Sequence, residues 1–331
     1  ERDRYAGARM LASKRYGRIL CVKEKNMKRI ITLFGVFVLF LSGCGQVSAD
    51  DVALLINNML SENTDIVSNT PPEGASATVH FIDVGQGDSE FIELPDGKTV
   101  LIDASTRSAG EDVVTYIEDL GYNAIDIVIA THPHEDHIGG LPDVIDAFDI
   151  GQMYMSNGIS TTKIFETLLD KISENMIPVD VADAGELLMS GTGYELTCVG
   201  PIGDEYDDLN NYSIVTRLDV GSSSFLFTGD CEAACEQEMI DAGVDLDVDI
   251  LKVGHHGSST SSSEAFLDAV SPEVAVISCG LDNEYGHPHD ETLEKLDAIG
   301  CDVLRTDLNG DITISTDGEN GYYFSFEDAA A

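Results

Sequence analysis

Positive charge is scarce in most of this chain. Of its 18 lysines and arginines, ten fall within residues 1–29, and from residue 45 onward 8 basic residues face 57 acidic ones. Such a surface repels polyanions. It speaks against the broad basic footprint that grips a long nucleic-acid duplex, and it suits a high-salt habitat or an extracellular one. Signals of disulfide pairing are also missing. Five cysteines follow Cys44 (Cys198, Cys231, Cys235, Cys279 and Cys301), an odd number with no C-x-x-C pair, so buried free thiols are expected rather than a disulfide scaffold. Cys231 and Cys235 are four apart in an expected helix, which makes them neighbours with poor disulfide geometry. The apolar run from Ile30 to Leu41 is twelve residues long, short of the roughly 20 that a membrane span needs.

What is present fits a globular protein: 331 residues with 43% apolar content. A folded unit of ~250 residues buries enough surface for a core without staples. Near the start, Lys28 and Arg29 precede the apolar run, and Leu41-Ser42-Gly43-Cys44 follows it. This pattern resembles the signal and lipobox of bacterial lipoproteins. The resemblance implies a signal peptide over 27–43, a lipid on Cys44 as mature N-terminus, and a chain anchored to the outer face of the cell membrane. Residues 1–26 precede the candidate start at Met27 and are read as an upstream extension. The acidic stretch 44–75, with Pro71-Pro72 near its end, reads as a tether. Residues 76–326 are read as the folded domain.

Histidine is sparse, eight residues in 331, yet three fall within THPHEDHIGG at 131–140. The apolar run IDIVIA at 125–130 reads as a buried strand leading into it. His132 and His134 are two apart, so an extended backbone points them the same way. Asp136 and His137 follow where the strand gives way to a turn, which Gly139 and Gly140 are expected to tighten. Imidazoles plus a carboxylate are the mixed donors that zinc, manganese or iron accept.

This stretch resembles the HxHxDH signature of the metallo-β-lactamase superfamily. The opening Phe81-Ile82-Asp83-Val84-Gly85-Gln86-Gly87-Asp88-Ser89 resembles the metallo-β-lactamase-like domain of ComEC-type DNA-uptake proteins and their free-standing relatives. Asn210-Asn211-Tyr212-Ser213 and the strand-end pair Gly229-Asp230 match in the same order. The resemblance covers roughly residues 76–326. It implies an α/β fold, the four-layer αββα sandwich, with one or two divalent ions (zinc or manganese) at one edge of the two sheets. By that resemblance His132 and His134 hold the first ion, Asp136, His137 and His255 the second, and Asp230 bridges them. His256 beside His255 is expected in hydrogen bonding or catalysis, as is Asp136; the two adjacent histidines are hard to rank, and the preference falls on His255. His287, Asn211 and Ser213 are expected as substrate contacts or late ligands, His289 as an exposed loop residue, and His80 as a strand residue. Asp83 and Asp103 are expected to hold turns and orient the ligating histidines.

One departure stands out: no histidine lies between His137 and His255, where many members of the superfamily supply a third ligand to the first ion. That speaks against a β-lactamase and favours manganese or a weak first site. The implied activity is hydrolysis of a phosphodiester or other small anionic substrate through a metal-activated hydroxide, with lactone or thioester hydrolysis, or a non-catalytic binding lipoprotein, as alternatives.

Overall fold

The computed structural model describes residues 77–319 and 321–326, together with the short strand Leu20–Cys21. The chain divides into two units, Glu1–Pro71 and Pro72–Ala331. The expected leader, Cys44 and the tether lie outside the described residues. Among the described residues no helix is long and apolar enough to cross a membrane.

The larger unit begins with β1 (Ala77–Phe81), β2 (Glu90–Glu93) and β3 (Thr99–Ile102), an antiparallel meander. Helix α1 (Gly110–Asp119) leads to β4 (Ala124–Ala130), which pairs parallel to β3. The short helices α2 (Glu135–Ile138) and α3 (Leu141–Ala147) precede β5 (Asp149–Met155), and α4 (Lys163–Asn175) precedes β6 (Val179–Val181). Then come β7 (Leu187–Gly191), β8 (Tyr194–Gly200), β9 (Val215–Val220) and β10 (Ser223–Phe227), antiparallel in sequence. Helix α5 (Ala233–Asp241), β11 (Ile250–Lys252), α6 (Glu264–Val270), β12 (Val274–Ile277), α7 (Asp290–Ala298) and β13 (Asp302–Arg305) alternate, and their strands are parallel. The turn α8 (Thr306–Asn309) leads to β14 (Ile312–Thr316) and β15 (Tyr322–Phe326).

Within this unit the first sheet has the order β15-β14-β1-β2-β3-β4-β5-β6 and the second β13-β12-β11-β10-β9-β8-β7. Alternation along β1 assigns the faces. Phe81 points inward, where its ring stacks 6.2 Å from Phe227 of the second sheet. His80 points outward, between the Tyr116 hydroxyl of α1 at 2.9 Å and Glu93 at 2.8 Å. Helical spacing supplies the outer layers. Val113, Ile117, Leu141, Val144, Phe165, Leu168 and Ile172 pack on Phe91, Leu101, Val128 and Met153. On the other side Cys235, Met239, Phe266, Leu267, Val270 and Leu296 pack on Leu226, Leu251 and Ala275. Each such fully buried side chain contributes roughly 1.5–3 kcal/mol. The result is the expected αββα sandwich.

Several local expectations change. Cys231 precedes α5 rather than lying in it, although both thiols are buried and free. Near the C-terminal end β13 ends the second sheet and β14 crosses to the first, joined by α8. Strand β7 and helix α6 had no counterpart in the sequence reading. Gly139 and Gly140 have ordinary helical φ values, −62° and −86°. Their role is close approach: a Cβ would lie 2.3 Å from the Arg107 nitrogen at Gly139 and 2.3 Å from the Ala104 oxygen at Gly140.

Candidate metal centre

Parallel strands of both sheets end at the same edge, and the candidate site is built from the loops that leave them. Asp103 follows β3, His132 and His134 follow β4, and Asp136 and His137 lie on α2. Asp230 follows β10, and His255 and His256 follow β11. Several of these loops hold non-glycine residues at left-handed φ: Asp103 at 55°, Ser105 at 56°, His255 at 49° and His256 at 53°. Strain of this kind costs about 1–3 kcal/mol per residue and gathers where geometry serves function.

Two donor groups result, His132 with His134 and Asp230, and Asp136 with His137, Asp230 and His256; within each, the donor atoms lie within 4.8 Å of one another. His132 Nε2 and His134 Nδ1 are 2.9 Å apart. Asp230 is common to both groups, its carboxylate oxygens 3.8 Å from His132 Nε2, 3.2 Å from His137 Nε2 and 3.6 Å from His256 Nε2. His137 Nε2, His256 Nε2 and Asp230 Oδ1 are buried and have no hydrogen-bond partner. Burying unpaired polar atoms is costly, and these three converge, so the donor set fits divalent ions.

The far side of each ring is held. His137 Nδ1 lies 2.7 Å from Asp103 Oδ2, and Asp103 also accepts from the Thr131 amide at 2.8 Å and hydroxyl at 2.6 Å. His256 Nδ1 faces the Ser278 carbonyl at 3.0 Å and Asp88 Oδ1 at 3.1 Å. Such partners leave Nε2 free to ligate. The electrostatics agree. Burial works against charge on His137, but Asp230 and Asp103 hold its pKa well above the ordinary value. Burial likewise opposes charge on His256, yet Asp230 and Asp88 lift its pKa to about 10. Burial pushes the Asp230 carboxyl up, and the charges of His137 and His256 outweigh it and hold it well below the usual range. Without metal, the carboxylates gather protons on these rings; a bound cation takes over that role.

The sequence-based assignment to the second group is corrected at one position. His256, preferred for catalysis, lies in the donor group, with Nε2 3.4 Å from Asp136 as well. His255 lies beside that group rather than in it: its Nδ1 bonds the Thr260 hydroxyl at 2.9 Å, and its Nε2 is 3.8 Å from Asp230 on the wall of the cleft. Asn211 and Ser213 are also placed differently from expectation. Asn211 is buried, and its carbonyl accepts from the amides of Glu232 and Cys235 at the start of α5. Ser213 is buried behind the cluster, its hydroxyl 3.2 Å from His132 Nδ1 and accepting from the Asp230 amide at 3.0 Å. Ser213 thus supports two ligands, and Asn211 holds the start of α5. Asp83 holds a turn, its carboxylate accepting from the Gly85 amide at 3.2 Å.

A cleft of about 330 Å³ opens over the cluster. Besides donor residues it is lined by Gln86, Glu135, Asn210, His255, Tyr285 and His287, and among the described residues no lysine or arginine lines it. His287 stands at the mouth, its ring stacked on Tyr285 at 5.6 Å; burial and the neighbouring His256 lower its pKa to about 4. His289 is half-buried, not simply an exposed loop residue: its Nδ1 accepts from the Ser259 amide at 2.9 Å. Sequence reasoning missed Gln86, Asn210 and Tyr285 as lining residues. It also missed Asp88 and Lys252 beneath the site; a lysine inside the apolar run ILKVG was the available signal.

The profile of the Metallo-beta-lactamase superfamily matches residues 82–281. The chain is 31% identical over 259 residues to ComE operon protein 3 of Bacillus subtilis (strain 168), covering 73% of this chain and 33% of that protein. To Competence protein ComA of Neisseria gonorrhoeae it is 30% identical over 259 residues, covering 78% and 34%. The chain thus spans about a third of the length of these relatives. Among solved structures, a mutant of the CmlA beta-hydroxylase superposes with a TM-score of 0.50 at 16% identity, over 81% of this chain and 60% of that one, a likeness of fold alone. With the profile, the relatives and the converging donors in hand, the chain belongs to the metallo-beta-lactamase superfamily.

Proposed function

We propose that this chain is a metal-dependent hydrolase of small phosphodiesters, working on the outer face of the cell membrane where a lipid on Cys44 tethers it. The observation that carries the hydrolase reading is the convergence of His137 Nε2, His256 Nε2 and Asp230 Oδ1, all buried without partners, at a cleft that His256 and Asp230 line. His132, His134 and Asp230 would hold one divalent ion, and Asp136, His137, His256 and Asp230 another; such ions would supply Lewis-acid activation of water and neutralise charge on substrate oxygens. Asp103, Asp88 and Ser213 orient those ligands. His287, uncharged near neutral pH, and Asn210 offer hydrogen bonds to a substrate seated in the cleft.

A carboxylate common to two donor groups would suit in-line displacement at phosphorus, where attacking and leaving oxygens both need charge stabilisation. The competence-protein names of the relatives favour phosphodiester chemistry by analogy. The cleft's lack of lysine and arginine favours a small or locally bound diester over a long duplex. The test is hydrolysis of bis(p-nitrophenyl) phosphate by the metal-restored chain, beside a lactone and a thioester, with Asp230→Ala as control. Metal-dependent turnover of the diester, lost in the variant, supports the reading. Turnover of the lactone or thioester alone moves it to carbonyl chemistry, and binding without turnover of any substrate moves it to a binding protein.

A further inference from the structure

A third group of donors, Asp88, Asp103 and His137, lies beneath the two already described, fully buried and with donor atoms within 4.8 Å of one another. Lys252 reaches the same place. It is the last residue of β11, three before His255, and it is fully buried, 1% exposed. Its Nζ lies 2.5 Å from Asp88 Oδ2 and donates to the Val253 carbonyl at 3.2 Å. The other oxygen of Asp88 faces His256 Nδ1 at 3.1 Å, and Oδ2 is 4.0 Å from His137 Nδ1. The backbone of Asp88 is tied to the ligand loops too: its amide donates to the Asp136 carbonyl at 3.1 Å, and its carbonyl accepts from the Ser105 amide at 2.8 Å. Gly87, at φ 142°, permits that approach, since a Cβ there would lie 2.6 Å from the Asp136 oxygen.

We propose that Lys252 is a resident cation that pairs with Asp88 of the third donor group and, through Asp88, positions His256 with Nε2 toward the second ion. A buried carboxylate needs a positive partner, and an ammonium carried on the adjacent strand is one that cannot diffuse away. It fixes Asp88 by one oxygen and leaves the other at ion-pair distance from His256 Nδ1, 3.1 Å away and without a hydrogen bond of its own. The Ser278 carbonyl shares that nitrogen, and the ring also meets Asp136 directly through Nε2 at 3.4 Å; Asp88 adds a second tie, from Nδ1 to the backbone of the loop carrying Asp136. Burial and the neighbouring Asp88 push the Glu90 carboxyl well up. Lys252 is therefore a positioning residue: it touches neither substrate nor the ions.

This inference rests on the metal-centre reading, and zinc or manganese binding by the unaltered chain checks that reading separately. The test measures ion affinity by chelator competition in two backgrounds, each leaving one ion: His134→Ala, which keeps the His137–His256 group, and Asp136→Ala, which keeps the His132–His134 group. Into each go Lys252→Met and the paired change Lys252→Met with Asp88→Asn, which leaves no buried charge unmatched. The expected result is an affinity loss of about 10- to 100-fold for the ion kept in His134→Ala, the scale for loss of a ligand's supporting partner. The ion kept in Asp136→Ala is expected to bind as before. Equal losses in both backgrounds would mean a general structural role, and no loss in either would mean that Lys252 and Asp88 do not position His256; each overturns the proposal. Where Lys252→Met alone does not fold, the paired change decides.

Discussion

Replacing Asp103 with asparagine isolates what a buried carboxylate does for a histidine ligand. Asp103 is fully buried and accepts three hydrogen bonds, two from Thr131 and one from His137 Nδ1 at 2.7 Å. It sits at φ 55°, a conformation that asparagine tolerates as well as aspartate, so the change adds no backbone strain. The amide oxygen can still take the Thr131 amide. Its NH2 then faces His137 and needs an acceptor, which places the ring proton on Nε2, the atom aimed at Asp230 and the second ion. A ring carrying that proton cannot ligate. We expect Asp103→Asn to weaken the second ion by about 10- to 100-fold, or about 1.4–2.8 kcal/mol, and to leave the first ion nearly unchanged. Asp103→Ala removes every acceptor and is expected to lower stability as well, by about 1–3 kcal/mol for each donor left unpaired. Stepwise metal titration followed by urea unfolding reads both effects. Wild-type affinity for both ions in Asp103→Asn would refute the reasoning.

Ser213→Ala removes the hydroxyl behind His132 and leaves the Asp230 amide unpaired; a selective loss at the His132–His134 ion, seen by chelator competition, is expected, and a loss confined to the other ion would contradict it. Gly140→Ala drives a Cβ against the Ala104 carbonyl and is expected to cost at least about 1–3 kcal/mol of stability, measured by urea unfolding; an unchanged midpoint would show the contact to be softer than drawn. In the metal-free chain, His256 is raised to about 10, so its contribution to stability is whole below about pH 6.5, its ordinary value, and is lost as pH rises through 10. The depressed Asp230 works at the other end: its contribution is present above about pH 3.9 and is lost as pH falls through its folded value. A metal-free stability profile that stays flat from pH 6.5 to 10 would refute the first part.

The residues easiest to read in the sequence are those whose placement follows from local periodicity. An apolar strand running into H-x-H-x-D-H carries its own geometry, because a two-residue step in extended backbone aims His132 and His134 together. The strand-end Gly229-Asp230 is legible for the same reason. What escaped depends on backbone or neighbours distant in sequence. His255 and His256 are chemically alike and both come within 3.8 Å of Asp230, and only the fold shows that His256 also meets Asp136. Asn211 and Ser213 carry polar groups suited to a substrate, but the start of α5 and the ring of His132 claim them first. Lys252 reads as a blemish in an apolar strand until the fold brings Asp88, 164 positions away, against it. The path from β13 to β14 is hidden likewise, since both are short alternating strands and only pairing shows that the chain changes sheet.

The account's central claim is that six side chains hold two ions that share Asp230. The most direct measurement is metal stoichiometry and affinity of the purified chain by titration with zinc and with manganese, repeated for Asp230→Ala. The account predicts two equivalents bound and a loss of affinity for both ions in the variant, because Asp230 belongs to both donor groups. Absence of binding in the unaltered chain, or an Asp230→Ala variant that still binds both ions at wild-type affinity, would contradict it.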